Sequence, residues 1–321
     1  ILSGEKMRRS DAETLLETPD EHLLRLMAAA DRIRLTFTGR FFDSCSLINA
    51  RCGLCGEDCA FCAQSKRHAS ERDTYSLVSG DEILAAARAA SEAGASRFCT
   101  VTSGGALSLA EFDALVDSLS RVHEEVDIAL DASVGFLDEE RAMRLRHAGV
   151  TRYNHNLETS RDYYPEICST HTFDQRVATV RTVVDSGLSA CCGGIIGMGE
   201  TLGQRLDLAF ALADLGVDCV PINILNPRPG TPLQDITPPE PLEILKTVAL
   251  FRLVLPKATI KIAGGREANL GDFQAMALRA GANGMIIGGY LTTGGRAAED
   301  DILMVRQAGF LMGAQPDADQ G

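Results

Sequence analysis

The sequence predicts a closed (β/α)8 barrel of the TIM type with an N-terminal helical extension. Three observations lead there. Eight apolar runs alternate with helix-length segments; strands alternating with helices build a parallel sheet, and eight is the number that closes on itself. Glycines stand at positions 94, 149, 187, 216 and 281, where those segments end and where a left-handed residue stops a helix. The 321 residues, 45% of them apolar, suffice for one large core of this kind. A doubly wound open sheet is the architectural alternative.

Residues 1–39 read as the helical extension. Ser10 and Glu13 have the spacing of a capping box, and Leu23, Leu24, Met27, Ile33 and Leu35 supply an apolar face. The barrel is assigned to 40–312. Its strands are expected near 41–49, 97–102, 127–133, 151–157, 188–194, 218–224, 258–263 and 284–288. Ser79 with Glu82, and Ser108 with Glu111, open two of the intervening helices as S-x-x-E boxes. The last helix falls near 297–309, and 313–321 reads as a disordered tail.

A net charge of −13 argues against nucleic acid, whose phosphates it would repel. No stretch reaches 18 apolar residues, so no bilayer span is expected. The first residues lack a signal peptide's apolar core, which suggests a cytoplasmic location. Ten cysteines in such a chain point to metal or redox use instead of disulfides.

The chemistry concentrates in residues 52–62. Cys55, Cys59 and Cys62 have the spacing C-x-x-x-C-x-x-C, with Phe61 before the last. Three thiolates in one short loop can reach three corners of an iron–sulfur cube and leave the fourth iron open. An open position serves a substrate or cofactor, as in catalytic zinc sites. A structural zinc knuckle, with Cys52 as fourth ligand, is the competing reading. The spacing resembles the signature of radical S-adenosylmethionine (SAM) enzymes. That resemblance implies a 4Fe–4S cluster whose open iron binds SAM and whose electron cleaves it to a 5′-deoxyadenosyl radical.

Further polar or thiol residues sit on the expected strands. The first carries Cys45, the second Cys99 and the third Asp131. The fourth carries Asn154, Asn156 and Glu158, all of one parity, and the fifth Cys191. The sixth carries Cys219 and Asn223, and the seventh Lys261. Single buried cysteines are common, but four on four strands describe a thiol-lined interior. Cys192 has the opposite parity and is expected to face the helices. Cys168 reads as structural. Cys219 precedes Asn223 by about 13 Å of strand, which puts the thiol deeper than the amide.

Taken together, these segments resemble the biotin synthases. The resemblance is carried by Cys-Gly-Glu-Asp-Cys-Ala-Phe-Cys-Ala-Gln-Ser (55–65), Arg-Phe-Cys (97–99) and Tyr-Asn-His-Asn-Leu-Glu-Thr-Ser (153–160). Gly-Gly-Ile-Ile-Gly-Met-Gly-Glu (193–200), Val-Pro-Ile-Asn (220–223) and Gly-Arg-Glu (265–267) follow in the same order. It implies sulfur insertion into dethiobiotin, with the sulfur drawn from a second, auxiliary cluster deep in the barrel. By the same resemblance Cys55, Cys59 and Cys62 hold the SAM cluster, Asn156 and Glu158 meet the ribose, and Arg176 meets the SAM carboxylate. Phe61 and Ile195 frame adenine, and Asn154 and Asn223 hold the substrate's ureido ring. A protein electron donor such as flavodoxin or ferredoxin is implied, and a homodimer is allowed for.

The sequence departs from the family at the auxiliary site. Cys99 and Cys191 match two ligand positions, but Asp131 stands where a third cysteine is usual and Lys261 where an arginine is. Cys45 and Cys219 replace nearby serines. Four inward thiols favour a 4Fe-type auxiliary cluster over 2Fe–2S, with Lys261 as a counter-cation paired to Asp131. Other radical SAM enzymes of this barrel group, of the hydrogenase-maturase or methylornithine-synthase type, and a non-catalytic metal scaffold are the rival readings.

Overall fold

A computed structural model describes residues 1–289 and 294–313. The expected tail therefore lies outside the described residues apart from Gly313. The strands are β1 (Phe41–Arg51), β2 (Arg97–Thr102), β3 (Ala129–Ser133), β4 (Val150–Asn154) and β5 (Ser189–Cys191). β6 (Gly194–Ile196), β7 (Cys219–Ile224), β8 (Thr259–Ile262), β9 (Gly284–Ile286) and β10 (Leu311–Met312) follow. All ladders between these strands are parallel, and β9 pairs with β1 to close the sheet. β5 and β6 form one barrel strand interrupted at Cys192 and Gly193, since both pair with β7. Counted so, the barrel has eight staves. β10 adds a short parallel strip beside Phe41 and Phe42.

Sequence chemistry explains most boundaries. Ser79 and Ser108 each accept the N3 backbone N–H while Glu82 and Glu111 return to the cap, completing both boxes. Gly94, Gly149, Gly187, Gly216 and Gly281 all have positive φ. The extension folds into helices Arg9–Leu16 and Leu23–Thr38, the second packed on helix Pro241–Val254.

Two local expectations need correcting there. Ser10 is no cap: the helix starts at Arg9, so Ser10 already lies inside the first turn, and Arg8 instead holds Asp11 through two hydrogen bonds. Leu24 and Leu35 are exposed; the buried stripe runs through Leu23, Leu26, Met27, Ala30 and Ile33, one helical face.

The fourth strand also ends earlier than its apolar pattern suggests. β4 stops at Asn154, and Asn156 and Glu158 lie in the loop beyond it. Their backbone leaves the ladder because Leu157 and Glu158 both donate to the Gly193 carbonyl, at the break between β5 and β6. Among the described residues no helix is long and apolar enough to cross a membrane.

Candidate active site

The barrel interior is built in layers by register. Lys261 on β8 lies opposite Gly284 on β9, which lies opposite Asp43 on β1. Gly284 has no side chain, and a Cβ there would stand 2.8 Å from Lys261 Cγ. Lys261 Nζ thus reaches Asp43 Oδ1 at 2.6 Å, and Arg152 Nη1 reaches Asp43 Oδ2 at 2.8 Å. Asp131 pairs with Arg97 at 2.6 Å and lies 4.0 Å from Arg152. The expected Asp131–Lys261 pair is therefore not made. Arg97, two residues before Cys99 and of the same inward parity, reaches Asp131 from the adjacent strand, and Asp43 takes the lysine.

This floor of three cations and two carboxylates carries one net positive charge. Burial opposes the ionisation of Asp43, but Lys261 and Arg152 overcome it and hold the carboxyl below its usual range. Lys261 is pushed above the ordinary lysine value, chiefly by Asp43 against its own burial.

Four thiols share the interior with that floor. Cys45, Cys99, Cys191 and Cys219 are all buried, and Cys191 Sγ lies 3.4 Å from Cys219 Sγ across paired strands. Burial pushes Cys99 well up and Cys45 up to about 12. Cys219 is drawn the other way despite burial, because Cys191 donates to it and Lys261 and Arg152 face it. Asn154 Nδ2 donates to Cys99 Sγ at 3.2 Å, while its buried Oδ1 has no partner among the described residues. An acceptor left bare beside a thiol suits a ligand that brings N–H groups.

Above the thiols lie two cavities with a common wall. One, of about 220 Å³, is lined by Cys55, Cys59, Cys62, Asn154, Glu158 and Arg176 among others. The other, of about 270 Å³, is lined by Leu47, Ile195, Asn223, Leu225, Arg228 and Ile286 among others. Phe61, Cys62 and Gln64 face both.

The cysteine loop leaves β1 directly. Lys66 N–H bonds the Cys55 carbonyl at 2.9 Å, Cys62 N–H the Cys59 carbonyl at 2.9 Å, and Ala60 N–H the Ile167 carbonyl at 2.8 Å. Gly53 is needed at the turn: its φ is 73°, and a Cβ would meet Asp73 O at 2.6 Å. Burial raises all three loop thiols, Cys62 to about 11, while Cys59 is raised chiefly by its hydrogen bond with Cys168. A thiophilic metal would have to displace those protons.

The loop after β4 supplies the remaining polar groups. Arg176 donates from Nε to Tyr164 Oη at 2.6 Å and from Nη1 to the Asn156 carbonyl at 2.8 Å, and stands 3.6 Å from Glu158. Burial raises the Glu158 carboxyl, with Arg176 and Asn156 opposing. Glu158 is the only non-glycine with positive φ among the described residues, at 68°. Its carbonyl accepts from Ile195 N–H at 2.8 Å, so the strained turn ties the polar loop to the β6 edge. Asn223 bridges from the other side, donating to the Gly194 carbonyl and accepting from Gly264 N–H at 2.9 Å.

Several residues of the site escaped the sequence reading. Asp43 and Arg97 share parity with the inward thiols of their own strands, and Arg152 shares it with Asn154, which was the available signal. Cys168, read as structural, has its Sγ 3.8 Å from Cys59 Sγ and 3.2 Å from His171 Nδ1, a spacing at which the three could hold a metal ion. Thr102 and Ser103, in the first cavity, bury hydroxyls without partners among the described residues.

A parallel eight-stave barrel with three loop cysteines at its C-terminal mouth defines a radical SAM enzyme, and residues 51–212 match the radical SAM superfamily model. Residues 221–311 match the biotin and thiamin synthesis associated domain. The chain is 48% identical to the biotin synthase of Pelotomaculum thermopropionicum over 305 residues, covering 95% of each. It is 46% identical to that of Carboxydothermus hydrogenoformans, over 97% of this chain and 96% of that one. The chain belongs to the biotin synthase family. Among solved structures, methylornithine synthase shares the fold with a TM-score of 0.84 at 22% identity, covering 99% of this chain and 97% of that one. The [FeFe]-hydrogenase maturase HydG of C. hydrogenoformans does so at 0.81 and 18% identity, covering 98% and 78%.

Proposed function

We propose that this chain inserts sulfur into dethiobiotin to form biotin, using SAM and two iron–sulfur clusters. The observation that carries the reading is vertical order in one barrel. Four buried thiols sit on the barrel strands, Asn154 donates to one of them while its carbonyl oxygen is bare, and residues further along those strands, such as Leu47, Val101 and Asn223, line the two cavities that the loop thiols also line. When bound, the upper 4Fe–4S cluster supplies the electron that splits SAM into the radical that takes hydrogen from the substrate.

The chain's own residues then have separate tasks. Cys55, Cys59 and Cys62 would hold the upper cluster with one ligand fewer than the usual four, which is the opening SAM would use. Arg176, already aimed by Tyr164 and Asn156, receives the SAM carboxylate. Asn156 and Glu158 take the ribose, and Phe61 and Ile195 cover adenine. Asn154 Oδ1 accepts a ureido N–H, and Asn223 offers its second amide hydrogen and lone pair.

Cys45, Cys99, Cys191 and Cys219 hold the auxiliary cluster, which we read as 4Fe-type and as the sulfur source. The net positive floor offsets the charge of a cluster bound by four thiolates. Lys261, held by Asp43, acts there as a cation and not as a ligand, and Asp131 keeps Arg97 in place. A flavodoxin or ferredoxin as electron donor, a homodimer and a cytoplasmic location complete the reading.

Anaerobically reconstituted protein tests it. Given dethiobiotin, SAM and a reductant, mass spectrometry should find biotin. About eight irons per chain supports two 4Fe clusters and about six supports 4Fe with 2Fe–2S. Zinc alone, with no 5′-deoxyadenosine, refutes the enzyme reading. A 2Fe–2S Mössbauer signature unaltered by Cys45→Ser or Cys219→Ser refutes the four-thiol assignment.

A further inference from the structure

Dethiobiotin has two polar ends, a ureido ring and a carboxylate at the far end of an aliphatic chain. The assignments above provide for the ring and leave the carboxylate without a partner. The second cavity has the complementary layout. Asn223 stands at one part of its wall, Leu47, Leu225 and Ile286 make much of the wall apolar, and Arg228 is the one charged residue among the described residues that line it.

Arg228 is half-buried, and its guanidinium has neither an ion-pair nor a hydrogen-bond partner among the described residues. Its far side borders an open cleft where Glu71 and Asp73 also lie, but neither reaches it. Arg176, the arginine of the first cavity, by contrast already donates to Tyr164 and Asn156 and stands 3.6 Å from Glu158. A half-buried arginine without a counter-ion is what a carboxylate-binding position needs.

The backbone around it is built to stay still. Pro227 and Pro229 flank Arg228 and restrict its dihedrals. Its carbonyl accepts from both Thr231 N–H, at 3.2 Å, and Thr231 Oγ1, at 2.7 Å. Gly230, at φ 80°, packs so closely on the cysteine-loop extension that a Cβ would lie 2.6 Å from Ser70 N. Its carbonyl accepts from Ala69 N–H at 3.1 Å. A cation mounted on a rigid turn loses little entropy on engaging a ligand.

We propose that Arg228 binds the substrate carboxylate and thereby selects acids over neutral ureido compounds. The proposal rests on the reading of this cavity as the dethiobiotin site. Dissociation constants for dethiobiotin and for its methyl ester are measured by equilibrium dialysis on the SAM-loaded, reconstituted enzyme.

Wild type should prefer the acid, and Arg228→Gln should weaken acid binding about 10- to 100-fold while leaving ester and SAM binding within about twofold. Arg228→Lys should restore part of the preference for the acid. Circular dichroism and the SAM dissociation constant report whether each variant is folded. If Arg228→Gln keeps the wild-type preference for the acid, or wild type shows none, Arg228 has no such role. Asn223→Ala, on the wall of the same cavity, separates the two readings: if the folded variant weakens both ligands while Arg228→Gln changes neither, the cavity stands and the carboxylate assignment falls. If neither variant changes binding, the cavity assignment itself falls.

Discussion

Replacing Asp43 by Asn removes the carboxylate that holds the barrel floor together. Asp43 touches Lys261 at 2.6 Å and Arg152 at 2.8 Å. At such distances each contact is about 6 kcal/mol for an effective dielectric constant of about 20, before desolvation is subtracted. Removing one partner of a buried ion pair costs about 3–5 kcal/mol net, because the partner stays buried and unpaired. Asparagine keeps the shape and can still accept a hydrogen bond, so about 3 kcal/mol is expected. The floor would then hold three cations against one carboxylate.

Urea unfolding of the cluster-free protein, followed by circular dichroism, measures the loss. The midpoint should fall with the slope unchanged. Because the folded-state pKa of Asp43 is depressed, its stabilisation is fully present above the unfolded value of about 4 and disappears as pH falls through the lower folded value. The deficit of Asp43→Asn should therefore be constant from about pH 5 to 8 and shrink below about pH 4. In a double-mutant cycle, Asp43→Asn and Lys261→Met should couple by more than about 1 kcal/mol. A deficit under about 1 kcal/mol at pH 7, or additive variants, would show that the floor pair does not carry the stability assigned to it.

Cys59→Ala should abolish 5′-deoxyadenosine formation and lower the iron content by about one 4Fe cluster; production at near wild-type rate would remove Cys59 from the upper site. Asn154→Ala should weaken dethiobiotin binding by about 1–3 kcal/mol in a dialysis measurement and leave SAM binding intact. Asn223→Ala should weaken dethiobiotin binding and also destabilise the fold, since its amide ties Gly194 to Gly264; unchanged binding in a folded variant would count against its role. Gly284→Ala should lower the melting temperature by displacing Lys261 from Asp43, since its Cβ would sit 2.8 Å from Lys261 Cγ. An unchanged melting temperature would mean that the lysine stem shifts at no cost.

Much of the architecture is written in local chemistry. The serine caps before Glu82 and Glu111, and the glycines that end five helices, act over a few residues, so spacing alone reveals them. The loop cysteines are legible for the same reason. Cys45, Cys99, Cys191 and Cys219 could be placed inward because alternation along a strand is fixed by geometry.

What alternation cannot give is which inward group meets which across the barrel. That is set by stagger between strands, and so Lys261 was expected on Asp131 when a side-chain-free glycine opens its path to Asp43. The approach of Cys168 to Cys59 spans 109 residues of sequence and depends on where the loop after β4 turns. The early end of β4 follows from the break between β5 and β6, a property of the neighbouring strand. Ser10 shows the converse: a cap pattern two residues out of place does not cap the helix.

The wall made of Phe61, Cys62 and Gln64 faces both cavities. Two molecules resting on opposite sides of the same three side chains cannot bind independently unless neither moves them. On the proposed placing of SAM in the first cavity and dethiobiotin in the second, any adjustment that SAM imposes on Phe61 is one that dethiobiotin meets on arrival, and the converse holds with the same free energy. The cavities thus form a linked pair: the factor by which SAM changes the affinity for dethiobiotin must equal the factor by which dethiobiotin changes the affinity for SAM. Where that factor favours joint binding, SAM is held mainly in molecules whose other cavity is already filled.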